Sequence, residues 1–171
     1  MKKYTILSFL LSLILVSCNS NYKVEVDLSA SQIKELQGKI AEDLEAIDVA
    51  KKNQDEFIDQ KVISLALAYQ KLGELGEAIK VYEMAVEEDY KTSTLIHNLG
   101  RLYQEVGDYQ SAVEAYQRII TEYGNKDYLH DIALVYIKAS DAKNAREYYK
   151  AWTLYSKQSD SQIEASLEVL N

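Results

Sequence analysis

Proline is absent from the 171 residues of this chain, and cysteine occurs only once. An average chain of this length would carry about eight prolines at a usage of roughly 5 %. Because proline breaks helix interiors and is confined to edges and bends in sheets, its absence favours an almost continuously helical fold. The single cysteine excludes an internal disulfide and a zinc site built from cysteines.

Basic residues are in the minority, since 19 Lys and Arg stand against 27 Asp and Glu and the formal net charge is −8. A basic surface is needed to bind phosphates, so a general nucleic-acid binder is excluded. The chain also lacks a glycine-rich phosphate loop, a paired-histidine zinc motif and a nucleophile elbow. The sequence therefore predicts no enzyme, no metal site and no cofactor.

The first 18 residues have the composition of a secretory signal. Two lysines precede an apolar stretch that is well short of the ~20 residues needed to cross a bilayer as a helix. The stretch ends in Ser17-Cys18, a small residue followed by a thiol, and so resembles a bacterial lipobox. The resemblance implies cleavage of residues 1–17 and acylation of Cys18. The alternative is an uncleaved anchor with an incidental cysteine.

The residues after Cys18 bear on the membrane to which the chain would be attached. Two or three acyl chains anchor a protein stably, whereas one binds only marginally. By resemblance to bacterial lipoproteins, Asn19 is not the aspartate that retains such proteins in the inner membrane. This implies the outer membrane, with the protein facing the periplasm, and makes residues 18–28 a lipidated tether.

Helical periodicity begins in the segment 29–58. Ser29 and Gln32 form an S-x-x-Q capping box, which marks a helix start. Apolar residues then recur at steps of three and four, as one helical stripe requires: Ile33, Leu36, Ile40, Leu44 and Ile47. We expect a helix from about 30 to the low fifties, with a break at Gly38 or a degenerate repeat as alternatives.

From residue 59 the chain repeats itself, at offsets of 34 and 33. Aromatic and small residues recur at equivalent positions: Tyr69, Tyr103 and Tyr136, followed by Ala78, Ala112 and Ala145. A turn between two helices is predicted in each copy, at Gly73, Gly107 and Ser140. This pattern resembles the tetratricopeptide repeat, a helix-turn-helix of 34 residues. The three copies span 59–92, 93–125 and 126–158.

The resemblance implies an all-α solenoid of three helix-turn-helix repeats, preceded by the N-terminal helix. Residues 159–171 are predicted to form a C-terminal capping helix, because solenoids need their last apolar face covered. Ser161 and Glu164 are expected to form its capping box. Trp152 stands where a small residue is usual in the family, and we expect it to pack against this last helix.

The family's concave groove implies a binding surface for a protein or peptide. Its equivalent positions here are Ile63, Leu67, Gln70, Lys71, His97, Arg101, Gln104, Glu105, His130, Leu134, Ile137 and Lys138. The surface is apolar in the first repeat and polar or basic in the middle. A peptide or helix with an apolar anchor and an acid would suit this composition.

Two of these positions are the chain's two histidines, His97 and His130. Their equivalent places on successive repeats allow three interpretations: a partner contact, a metal site, or ordinary surface residues. Further ligands would be needed for a metal, and the neighbouring Arg101 repels a cation.

Taken together, the sequence predicts a non-catalytic interaction scaffold or adaptor, anchored in the cell envelope by lipid. The alternative function is a small-molecule or glycan-binding lipoprotein of an uptake system. Dimerisation through the N-terminal helix is left open by the sequence.

Overall fold

The computed structural model describes residues 22–55, 57–88, 90 and 92–170. The predicted signal sequence and Cys18 lie outside the described residues. Within them the chain forms helices and no strand: α1 (Ala30–Asn53), α2 (Ile58–Lys71), α3 (Leu75–Glu87), α4 (Ser93–Val106), α5 (Tyr109–Tyr123), α6 (Tyr128–Lys138), α7 (Ala142–Ser156) and α8 (Ser161–Val169). The predicted all-α repeat fold is confirmed.

The described residues divide into two compact units, one up to Met84 and one from Ala85 onward. The first unit contains α1, α2 and most of α3. The second contains α4 to α8. In the described part of the chain, no helix combines the length and the apolar character that a membrane crossing requires.

The first helix begins at the predicted capping box. Ser29 Oγ accepts a hydrogen bond from the Gln32 backbone N–H, and Gln32 Oε1 accepts one from the Ser29 N–H at 2.9 Å. The helix continues through Gly38 without a break and packs along α2. It ends at Gln54 in a left-handed conformation, as α5 does at Gly124. Helix α1 packs on α2 in the way that α5, the second helix of a repeat, packs on α6. It therefore takes the place of the second helix of a preceding repeat.

The turns inside the three repeats share one backbone conformation. Gly73, Gly107 and Ser140 have φ angles of 75°, 81° and 58°. Glycine adopts this left-handed region freely, whereas a residue with a Cβ is strained there by about 1–2 kcal/mol. The three positions that the sequence aligns are therefore equivalent in structure, and only Ser140 is strained in this way.

Small residues allow the paired helices to approach closely. A Cβ atom added to Gly100 on α4 would lie 2.8 Å from the ring of Tyr116 on α5, nearer than real Cβ contacts come. Alanines fill the corresponding places elsewhere, and each is fully buried: Ala66, Ala78, Ala112, Ala133 and Ala145. The predicted close contact between the paired helices is thus present.

The C-terminal helix α8 packs on the third repeat. Ile163 and Leu167 share a buried cluster with Tyr149 and Trp152, as expected for a tryptophan in place of a small residue. This burial covers apolar surface that the last repeat would otherwise expose.

The start of α8 is one residue earlier than predicted. Asp160 is its N-cap and accepts from the backbone N–H of Ile163 at 3.2 Å, so the expected capping box at Ser161 is wrong. The reason is Tyr149. Its hydroxyl accepts from the Asp160 N–H at 2.8 Å and donates to Glu164 at 2.9 Å, so the Glu164 carboxylate binds this hydroxyl rather than a capping backbone N–H.

Candidate functional site

In the first unit, the predicted groove residues lie on one face of α2. Ile63, Leu67 and Lys71 follow one another at steps of four, and Gln70 lies three residues after Leu67, which places all four on one side of the helix. Leu67 is 40 % exposed, an unusual state for a large aliphatic side chain in a folded domain. Lys71 is also exposed, while Ile63 and Gln70 are half-buried. This face therefore offers an accessible apolar side chain beside a cation.

In the second unit, the predicted residues lie on α4 and α6, and a hydrogen bond joins the two helices. Lys138 Nζ donates to Gln104 Oε1 at 3.0 Å. The amide nitrogen of Gln104 in turn donates to the hydroxyl of Tyr116 at 2.7 Å. These two hydrogen bonds connect α4 to α6 and α4 to α5, and together they orient the Gln104 amide.

The accessible part of this surface is polar. Arg101 and Glu105, one turn apart on α4, are exposed, and so is Lys138 on α6. Leu134 and Ile137 are instead half-buried, because they pack against the cluster that holds α8. The two cations and one acid are therefore the groups that a partner would meet first.

The two histidines take part in separate contacts. Nδ1 of His97 lies 3.2 Å from the hydroxyl of Tyr128, and its ring packs against those of Tyr116 and Tyr128. Nε2 of His130 lies 2.9 Å from Oδ2 of Asp160. Each imidazole therefore has its own polar partner within the second unit. Across the described residues, no three His, Cys, Asp or Glu side chains come together as metal ligands would.

Asp131 follows His130 on α6 and is half-buried. Burial raises the pKa of Asp131, while the nearby His130 and His97 oppose that change. Burial also raises the pKa of Tyr116 to about 12, and Asp131 adds to this effect. The interior of the groove is thus a partly desolvated mixture of rings and one acid, and both groups keep their neutral forms over a wider pH range than usual.

An open cleft of about 360 Å³ lies beside His130. Its lining combines one indole with acidic and small polar side chains: Asp127, His130, Asp131, Trp152, Ser156 and Gln158. Of these, only His130 was a predicted site residue. Sequence reasoning assigned Trp152 to packing alone, and no local signal distinguishes Asp127 or Asp131 from ordinary helix-end acids.

The repeats are similar to known proteins. Residues 62–121 match the family model described as Tetratricopeptide repeat. An alignment 110 positions long, which covers 60 % of this chain, is 32 % identical to the Heat shock protein sti1 homolog of Schizosaccharomyces pombe (strain 972 / ATCC 24843). That alignment spans only 17 % of the length of the yeast protein.

A solved structure is also similar. The crystal structure of a tetratricopeptide repeat protein from Parabacteroides merdae ATCC 43184 superimposes with a TM-score of 0.59 at 21 % sequence identity. The match covers 82 % of this chain and 60 % of that one. At this identity the likeness concerns the fold.

Proposed function

Because the chain is a tetratricopeptide repeat protein, we propose that it is a non-catalytic scaffold or adaptor that binds a protein partner at a cell-envelope membrane. Stacked helix pairs present extended surfaces that suit protein partners. The observation that carries the proposal is the α4–α6 surface. There the cations Arg101 and Lys138 are exposed, and the Gln104 contact with Lys138 holds the latter in place.

The chemistry of these side chains favours a peptide or helix with an acidic group. Arg101 supplies a planar guanidinium that can bind a carboxylate with two hydrogen bonds. Lys138 adds a second positive charge on the same surface. The first unit has its own exposed apolar side chain, Leu67, that a protein can contact.

Photo-crosslinking in cells tests the partner surface. A photoreactive residue in place of Glu105, which is exposed on α4 and leaves both cations intact, should yield defined crosslinked protein bands. The same residue at position 114, exposed on α5, serves as the matched control. Introducing Lys138→Glu beside the crosslinker should weaken the bands at least tenfold, because it reverses one of the two charges. Equal bands from positions 105 and 114 would contradict the assignment of the surface.

The membrane attachment rests on the sequence Ser17-Cys18. We propose that Cys18 carries the acyl chains, that residues 1–17 are removed, and that the protein faces the periplasm from the outer membrane. Mass spectrometry of the amino-terminal peptide should show an acylated cysteine. A Cys18→Ser variant should leave the membrane fraction, and an unmodified amino terminus in the wild type would contradict the proposal.

The cleft beside His130 favours a second candidate function, the binding of a small glycan. The carboxylates of Asp127 and Asp131 are suitable acceptors for sugar hydroxyls, and the volume falls within the range of small-molecule sites. Thermal-shift measurements against oligosaccharides test it, with Asp131→Asn as the variant that should lose the response. A melting temperature that no sugar changes would count against this candidate.

A further inference from the structure

The segment 22–26, before the first helix, is bound to the turn between α2 and α3. The Val24 N–H donates to the Gly73 carbonyl at 2.9 Å, and the Gly76 N–H donates to the Tyr22 carbonyl at 2.9 Å. An ion pair between Lys23 and Glu74 adds to these two main-chain bonds. Three separate contacts thus join this segment to one turn of the first unit.

Gly73 has two roles at this turn. Its φ of 75° favours glycine, as does the φ of 81° at the equivalent Gly107. A Cβ on Gly73 would also lie 2.2 Å from the Val24 carbonyl oxygen, whereas a Cβ on Gly107 would meet nothing within 4 Å. The first repeat therefore needs glycine for the turn and for the segment packed over it, and the second repeat needs it for the turn alone.

We propose that residues 22–26 form a strap that holds the α2–α3 end of the first unit against the membrane. The proposal rests on the proposed acylation of Cys18. Four residue steps separate Cys18 from Tyr22, and even fully extended they span at most about 14 Å. The α2–α3 turn is thus kept near the lipid, whereas a free tether running to residue 28 would let the whole unit turn over.

The geometry of α2 makes this orientation measurable. The helix has 14 residues and is therefore about 21 Å long. Lys71 lies at its strapped end, and Asn53, at the end of α1, lies next to its other end. Both residues are exposed, so a probe can be attached at either one.

Hydrogen exchange tests the strap itself. In the full chain, the Val24 amide should exchange at least tenfold more slowly in the wild type than in Gly73→Ala. Gly107→Ala is the matched control, since it introduces the same strain in a left-handed turn without touching the strap, and it should leave Val24 protected. Fast exchange of Val24 in the wild type would overturn the proposal.

A second variant covers the case in which Gly73→Ala fails to fold. Val24→Pro removes the N–H that bonds to Gly73 and leaves the repeat helices unchanged. Exchange of the Gly76 amide, whose acceptor is the Tyr22 carbonyl, should then become several-fold faster. An unchanged rate at Gly76 would overturn the proposal.

Spin relaxation at the membrane surface tests the orientation. Lys71→Cys and Asn53→Cys are labelled with a nitroxide in the acylated protein, in vesicles that carry nickel-chelating lipid. We expect a relaxation enhancement several-fold larger at position 71 than at position 53, with the difference lost in Gly73→Ala and retained in Gly107→Ala. Equal enhancement at the two positions in the wild type would overturn the orientation.

The outcomes separate the strap from the anchor. Acylated Cys18 with equal enhancement at positions 71 and 53 overturns the strap proposal and leaves the anchor intact. An unmodified Cys18 overturns the anchor and, with it, the membrane orientation, whatever the exchange rate of Val24.

Discussion

The two terminal helices are attached to their neighbours in different ways. The first, α1, has 24 residues but buries only Asp43, Ile47 and Ala50. The last, α8, has nine residues, and its Ile163 and Leu167 enter the core of the third repeat. A long helix can thus be attached by a few buried residues along one neighbour, whereas a short helix needs side chains that are buried in the core of its neighbour.

Polar contacts follow the same division. In the second unit, Arg146 donates to the carbonyl of Leu167 at 2.7 Å, which satisfies a backbone acceptor in the last turn of α8. In α1, one oxygen of the buried Asp43 has no hydrogen-bond partner among the residues that the structure describes, and the other accepts from Lys39 at 3.1 Å. The C-terminal end is therefore bound by specific polar contacts, and the N-terminal end relies on helix length and on the segment before it.

Among the substitutions that test this comparison, Ile163→Ala should lower the free energy of unfolding most. Truncation of a fully buried isoleucine leaves a cavity and costs about 2–5 kcal/mol. Urea unfolding measures the loss, with Val169→Ala, 84 % exposed on the same helix, as the matched control. A loss below about 1 kcal/mol for Ile163→Ala would mean that α8 does not depend on deep packing.

Asp43→Leu should instead raise the free energy of unfolding. The substitution removes a buried carboxylate oxygen that no described residue binds and fills the same space with apolar atoms, so we expect a gain of about 1–2 kcal/mol. Lys39 is half exposed and keeps its hydration without the carboxylate. Chemical denaturation of both proteins checks this, and destabilisation would show that the carboxylate is better satisfied than the geometry indicates.

The turns of the second and third repeats allow a finer test. Ser140 is exposed in a left-handed conformation, and no segment comparable to residues 22–26 is packed over it in the described part of the chain. Ser140→Gly should gain about 0.5–1 kcal/mol, since relief of strain outweighs the added freedom of the unfolded chain. Gly107→Ala should lose a similar amount. Thermal unfolding measures both variants. Melting temperatures that shift in the same direction would contradict this account of the two turns.

The smallest effect is expected at Asp160, through pH. The hydrogen bond from His130 is the main cause that lowers the pKa of Asp160 below its ordinary value of 3.8. Its carboxylate therefore stabilises the folded state above about pH 4, and this contribution is lost as the pH falls through the lower folded-state pKa.

Asp160→Asn isolates this charge, because asparagine is an equally good N-cap. We expect it to cost less than about 1 kcal/mol at pH 5, as for a solvent-accessible ion pair, and progressively less as the pH falls below 4. In a chain that already carries His130→Gln, the same substitution should leave the stability at pH 5 unchanged. A cost that does not fall with the pH, or that remains without His130, would assign the effect to the N-cap alone.

Local signals in the sequence were sufficient for the repeat architecture. Ser29 and Gln32 mark the start of α1 by contacts within one turn, and Gly73 and Gly107 mark turns because no other residue suits their backbone angles as well. The contact of residues 22–26 with the α2–α3 turn joins positions about fifty residues apart through main-chain atoms. Main-chain bonds of this kind leave no mark in the side-chain pattern, so this contact was not predicted.

The candidate site was predictable in outline only. The resemblance placed Gln104 and Lys138 on the groove, and the structure brings them into contact. It did not indicate that Tyr116, a packing position of the repeat, also accepts a hydrogen bond from Gln104, or that Asp160 from the last helix binds His130. Both contacts depend on the packing of successive helices, which residue spacing alone does not determine.

The packing of Trp152 gives the molecule a built-in optical reporter. It is the chain's one tryptophan among 14 tyrosines, and its ring lies 4.6 Å from that of His130, in the cluster with α8. Selectively excited indole emission therefore follows unfolding of the second unit, while the far-ultraviolet dichroism of the helices follows both units. Coincident curves from the two signals would mean that both units melt in one cooperative transition, and separated curves that each melts by itself.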